Sequence, residues 1–267
     1  MAGARLLLAT APFILVALLY CLISYERNQA SARDPDNGGV SREKITPSPL
    51  KLVEGVKGIA VDKDRNGHRM LWFDTWASAR RFLIAYAFVL VPILIGLHMG
   101  TFPYTEALLL SFFGFFGKVP PLALTPILIL VFGIDELPKI VLVVIGYFPG
   151  LVLTANLCSK EVPRELIESA KSRGASEFEV CYRVVLPLIW PKMLDAIRLS
   201  LMTGIQCLIA AEFMAATVGL GYRIYLVKRY TAMDIIIPYV LWMTLLLFVA
   251  DWLISWWIEK RYGWVNQ

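Results

Sequence analysis

Between Ile235 and Ile258 the sequence reads IIIPYVLWMTLLLFVADWLISWWI, 24 positions with one formal charge, Asp251. A helix of about 20 predominantly apolar residues crosses the hydrocarbon core of a bilayer. No water reaches that depth, so every backbone N–H and C=O must be paired internally, which leaves helices or closed barrels. Blocks this long and continuous are helical. Similar runs occur at Leu6–Ser24, Phe82–Gly100, Ile140–Cys158 and Ile197–Val218. The block Glu106–Ile134 is longer and carries Lys118, Pro120 and Pro121 near its middle, so it reads as one bent crossing. The count is about six, with five or seven if the broken block is divided differently. Charged residues make up 18% of the chain, against about a quarter in soluble domains. The fold class is an all-α, polytopic membrane protein.

The first block could be a signal peptide, with Ala30-Ser31-Ala32 as a cleavage site, but its run exceeds the usual apolar region of about 7–15 residues. It reads instead as a retained helix over residues 1–25. Residues 26–74 form a polar, extracytoplasmic loop. Within it, Asp34–Gly39 is turn-rich, LKLVEGVKGIAV after Pro49 suggests a short amphipathic helix on the membrane surface, and Asp62–Gly67 is a charged turn. Residues 75–260 form the transmembrane core. Trp252, Trp256, Trp257 and Trp264 gather as interfacial aromatics do. With an even count, Arg5 and Glu259-Lys260-Arg261 place both ends in the cytoplasm, and Arg80-Arg81 stands against that assignment. Cys21, Cys158, Cys181 and Cys207 are scattered and read as free thiols, and His68 and His98 lack metal-ligand spacing. No cofactor, metal or nucleic-acid partner is expected.

One segment breaks the apolar pattern. In 159–190, and above all in ESAKSRGASEFEVCYRVVLP (Glu168–Pro187), charges crowd between two spanning blocks. Pro163 suits a first helical position, Glu165 and Glu168 favour the N-terminal end of the helix dipole, and Lys171 and Arg173 the C-terminal end. Gly174 ends this helix, and Ser176-Glu177-Phe178-Glu179 has the S-x-x-E spacing of a capping box. Phe178, Tyr182, Val185 and Ile189 share a face of the second helix, which Pro187 breaks or bends. The segment is therefore a helix–turn–helix at the cytoplasmic surface. A solvated loop is the alternative, but it would not need this density of helix start and stop signals.

Glu168-Ser169-Ala170, then Gly174, then Val184-Val185-Leu186-Pro187 resembles the EAA loop of ABC importer permeases. TPSPLKLVEG (Thr46–Gly55), PPLALTPILILVFGIDELPKI (Pro120–Ile140) and AEFMAATVGLGYRI (Ala211–Ile224) resemble the nitrate/sulfonate/taurine branch. The likeness covers roughly residues 46–260. It implies a type I permease fold with a cytoplasmic coupling-helix hairpin. It also implies that Glu168, Ser169, Ala170, Gly174, Leu186 and Pro187 dock on an ABC ATPase. Two ATPase subunits, a second and identical permease copy, an extracytoplasmic binding protein and the lipid bilayer are the implied partners. The implied solute is a small anion such as nitrate, a sulfonate or taurine. Two departures stand out: Val162 where relatives often carry Asp before the proline, and an insertion-like turn at Asp62–Arg69.

The chain has no G-x-x-x-x-G-K-[ST] loop, since Gly117-Lys118 is followed by Val119, so hydrolysis of ATP is assigned to a partner. Intramembrane ionisable residues are functional candidates, but Glu212 and Asp251 lie on different spans with no evident partner. Thr154, Asn156, Gln206 and Glu212 are candidate pathway-lining residues, although polar side chains between membrane helices more often serve packing. Gly96-x3-Gly100 and Gly146-x3-Gly150 permit close helix approach. A secondary transporter or scaffold without an ATPase is the competing reading, and an enzyme finds no catalytic constellation.

Overall fold

The computed structural model describes residues 15, 18–26, 47–60 and 69–262. Most of the first apolar block, the Asp34–Gly39 turn, the charged turn at 62–68 and Trp264 lie outside them. After a helical stretch over residues 18–26, the described helices are α1 (Pro49–Ala60), α2 (Met70–Tyr86), α3 (Leu90–Thr101), α4 (Pro103–Phe116), α5 (Thr125–Phe132), α6 (Glu136–Lys160) and α7 (Arg164–Ser172). Glu177–Glu179, a π-helical turn Val180–Val185 and Leu186–Ala215 follow without interruption and together form α8. α9 (Leu220–Lys228) and α10 (Met233–Tyr262) complete the order. Two compact units are distinguished: one combines the residues up to Asp74 with Arg223–Met243, the other Thr75–Tyr222 with the residues from Thr244 onward.

Among the described residues, four stretches are long and apolar enough to cross a membrane: Met70–Thr101, Glu136–Lys160, Glu177–Met214 and Met233–Tyr262. α4 and the Pro121–Phe132 helix meet at 81° and make a fifth if the pair is one span. The break falls where Lys118, Pro120 and Pro121 predict it. The sixth expected crossing is the first block, of which residues 18–26 are helical.

Two boundaries differ from the sequence expectation. α2 starts at Met70, well before the apolar run at Phe82, and takes in Asp74 and Arg81. Both are buried and paired within the protein, so their charges do not end the helix. α8 starts at Glu177 rather than Ile197, and Pro187 does not break it. Proline lacks an N–H and its ring crowds the carbonyl one turn back. Here it stands in the first turn of Leu186–Ala215, directly after the π turn, where the widened backbone accommodates it.

In the second unit α6 is the central strut, packed against α3 and α8. Gly96 and Gly100 make the α3–α6 contact possible: a Cβ on Gly96 would stand 2.2 Å from the Val152 carbonyl oxygen, and one on Gly100 2.4 Å from Ser159 Cβ. Of the second small-residue pair, only Gly146 is used, against Cys207 Sγ of α8. Ala85, Leu142, Val143, Tyr147, Cys207, Leu208 and Ala211 form the α2–α6–α8 core. The Tyr147 hydroxyl donates to the Ala85 carbonyl at 2.8 Å, a second bond to a carbonyl at the α2 C-terminus that also accepts from the Phe88 N–H. In the first unit, Asp74 is fully buried, paired with Arg223 Nε at 2.8 Å and with the Tyr239 hydroxyl at 3.1 Å. All four cysteines are free thiols.

Candidate functional site

The hairpin is built as its local chemistry dictates. α7 ends at Ser172, and Gly174 turns the chain at φ +87°, left-handed backbone that glycine adopts at low cost. Ser176 Oγ accepts from the Glu179 N–H while the Glu179 carboxylate accepts from the Ser176 N–H, a complete capping box. Lys171 Nζ bridges to Glu177 at 2.9 Å, tying the two helices across the turn. Pro163 is the N-cap residue rather than the first helical one, and no side chain caps that end. Proline carries no side-chain acceptor, so the cap position cannot bond the first turn. Val162 before it is buried with Ile93, Leu97, Ala155, Val180, Cys181, Val185, Ile189 and Met193.

This cluster decides which face of the hairpin is free. Ile167, Ala170 and Leu186 pack against it. Glu168, Ser169, Gly174 and Pro187 stay exposed, and Glu168 makes no ion pair among the described residues. Leu166, Ser169, Ala170, Arg173, Gly174, Ala175, Glu179, Arg183 and Val184 line one open concavity. Of the expected apolar stripe, Val185 and Ile189 are buried. Phe178 and Tyr182 remain largely exposed and touch α3 and its end: Tyr182 Oη lies 2.7 Å from His98 Nε2, and the Phe178 ring 5.2 Å from that of Phe102.

A second constellation is one that sequence reasoning missed. Glu212, 1% exposed, has a partner on every side. Ser78 Oγ donates to it at 2.7 Å, Arg81 Nη1 at 2.7 Å and the Gly221 N–H at 2.8 Å. Arg81 also holds Glu136 through Nε at 2.5 Å and Nη2 at 2.9 Å, and donates to the Val218 carbonyl at 2.7 Å. Lys139 Nζ completes the group, 3.0 Å from Glu136. Ser78 Oγ in turn accepts from the Leu220 N–H at 2.9 Å. Side chains from α2 and α8 thus hold the backbone of 218–221, and Glu136 of α6 braces Arg81 from behind. Arg81 is therefore no free charge at a span end, which removes it from the orientation conflict. Arg80-Arg81 beside an apolar run and a lone Glu in another run were the available signals; their pairing was not readable from spacing.

Asp251 also has a partner, contrary to expectation: Arg198 Nε lies 3.2 Å away, and Arg198 Nη1 donates to Ser255 Oγ. Thr154 bonds back to the Gly150 carbonyl at 2.8 Å. Gln206 is exposed, whereas Asn156 is buried with its Oδ1 unpaired among the described residues. Thr154 and Asn156 lie on α6, Gln206 and Glu212 on α8.

The comparisons agree with one another. The sequence profile of the binding-protein-dependent transport system inner membrane component matches residues 88–262. The chain is 33% identical over 206 residues to the taurine transport system permease protein of Escherichia coli (strain K12), covering 77% of this chain and 74% of that one. It is 31% identical over 194 residues to a Bacillus subtilis (strain 168) permease protein whose name provisionally assigns it to aliphatic sulfonates transport, covering 72% and 68%. In fold it is similar to the MetNI methionine ABC transporter in an inward-facing conformation, at TM-score 0.60 and 18% identity over 79% of this chain and 96% of that one. The chain is a multi-pass inner-membrane protein with the type I importer fold and no ATPase of its own, and it belongs to the permease subunits of binding-protein-dependent ABC importers.

Proposed function

We propose that this permease carries a small sulfonate-bearing solute such as taurine, and that the Glu168–Pro187 hairpin docks on an ABC ATPase. One observation carries the docking half. Ile167 and Ala170 of α7 pack on the core, while Glu168 and Ser169 are left exposed beside the Gly174 turn, Glu168 with no ion pair among the described residues. A carboxylate kept free at the surface is suited to a basic residue of a partner. Two ATPase subunits, a second copy of this chain and an extracytoplasmic binding protein complete the assembly, and Thr154 and Gln206 are candidate pathway residues. The sulfonate half rests on the names of the relatives, taurine and aliphatic sulfonates.

The test is isolation of the tagged chain from native membranes, comparing wild type with Glu168→Arg. The wild type should bring ATPase subunits and a binding protein, and the variant should lose the ATPase while remaining folded. Full ATPase retention by the variant overturns the docking assignment. Calorimetric titration of the co-isolated binding protein decides the solute: taurine or an alkanesulfonate should bind. Exclusive binding of nitrate or a betaine would overturn the sulfonate reading.

A further inference from the structure

The clasp on the 218–221 backbone lies far from the hairpin. Glu136 opens α6 and Lys160 closes it beside the hairpin, a 25-residue helix that measures about 37 Å at 1.5 Å per residue. Glu212 and Gly221 belong to the Glu136 end, because Arg81 holds Glu136 and Glu212 together. With the hairpin in the cytoplasm, the clasp is at the extracytoplasmic end of the bundle. The chain there is irregular: residues 216–219 separate α8 from α9. Irregular backbone near hydrocarbon is tolerated where protein encloses it.

The enclosure is specific. Ser78, Arg81 and Glu212 hold the carbonyl of Val218 and the N–H groups of Leu220 and Gly221. Gly219 adopts φ +137°, and a Cβ there would lie 2.5 Å from Glu212 Oε1. The carboxylate is therefore seated directly against the bare glycine backbone. Thr217, next to this held stretch, is exposed. A chain segment fixed in one conformation by side chains from two helices, with one exposed corner, is a presented feature.

We infer that Glu212, with Ser78 and Arg81, is a positioning residue for the outer step of transport: it holds the 216–221 loop in the conformation against which the loaded binding protein delivers its solute. This rests on the importer orientation proposed above. None of the three side chains is asked to touch the solute.

The experiment uses the complete importer in proteoliposomes, with its loaded binding protein as the probe. Wild type is compared with Glu212→Gln, Ser78→Ala and Gly219→Ala, which disturb the clasp from its carboxylate, its hydroxyl and its backbone side. Subunit composition, ATPase activity without binding protein, and stimulation as a function of binding-protein concentration are recorded. The expected result is an unchanged complex and unchanged unstimulated ATPase, with the half-maximal binding-protein concentration raised roughly fivefold or more. Glu212→Asp should recover part of the loss. If assembled variants respond to the binding protein as wild type does, the inference falls. It falls equally if all three variants fail to assemble, because the clasp is then structural only. Loss of ATPase subunits from the wild type would instead overturn the docking proposal, so the two failures are distinct.

Discussion

Arg81 shows how much a single residue's meaning depends on partners far away in sequence. In the sequence it is one of two adjacent arginines ahead of an apolar run; in the fold it is 4% exposed and binds two carboxylates and a carbonyl. Removing one member of a buried pair strands the other charge, at a cost of about 3–5 kcal/mol. Arg81→Met should therefore lower the melting temperature of the purified permease sharply, read by tryptophan fluorescence. Arg81→Met with Glu212→Met should recover much of that loss, because the stranded charge at Glu212 is gone. A loss in the double variant equal to the sum of the losses in Arg81→Met and Glu212→Met alone would show that the pair is not coupled. At Gly174 the left-handed backbone was legible beforehand, because glycine after a basic helix end has few other uses. Its open surroundings mean that Gly174→Ala meets only backbone strain, about 1 kcal/mol. Thermal unfolding should register that small loss.

At the scale of elements, the apolar runs and the hairpin signals were readable because each is local: composition over a window, or a cap, a turn and a second cap in order. The bend between α4 and α5 was likewise written in Pro120 and Pro121. The start of α2 and the uninterrupted course of α8 were not. Each depends on something outside its own segment, namely partners for Asp74 and Arg81, and a π turn that accommodates Pro187. The Gly96 contact lies between these cases, since a small-residue spacing is common and only the α6 carbonyl, 2.2 Å from where a Cβ would stand, gives it force. Gly96→Ala must push α3 from α6 and should cost about 1–3 kcal/mol by overpacking. Gly114→Ala, with nothing within 4 Å of the added methyl, should be neutral or stabilising by up to about 1 kcal/mol through helix propensity. Detergent melting curves of the two variants should move in opposite directions or differ plainly in size.

At the scale of the whole molecule, α8 runs from the hairpin to the clasp as one element, 38 residues over Glu177–Met214, roughly 55 Å. Leu199 and Met202 are exposed on it. Glycine at both positions lowers helix stability by about 1 kcal/mol each relative to alanine without altering either end. The expected outcome is an assembled importer that hydrolyses ATP but moves less solute per ATP, measured as labelled solute accumulated against phosphate released. An unchanged ratio would mean that a stiff α8 is not required.

The clasp itself balances two positive groups, Arg81 and Lys139, with two negative ones, Glu136 and Glu212. The electric field across an energised membrane acts on each elementary charge with about 2.3 kcal/mol per 100 mV. A cluster whose charges sum to zero feels almost none of that force when it shifts as a body. Whatever displacement the outer end of the bundle undergoes in a cycle is thus electrically silent at this point, and the membrane voltage gains no hold on it there.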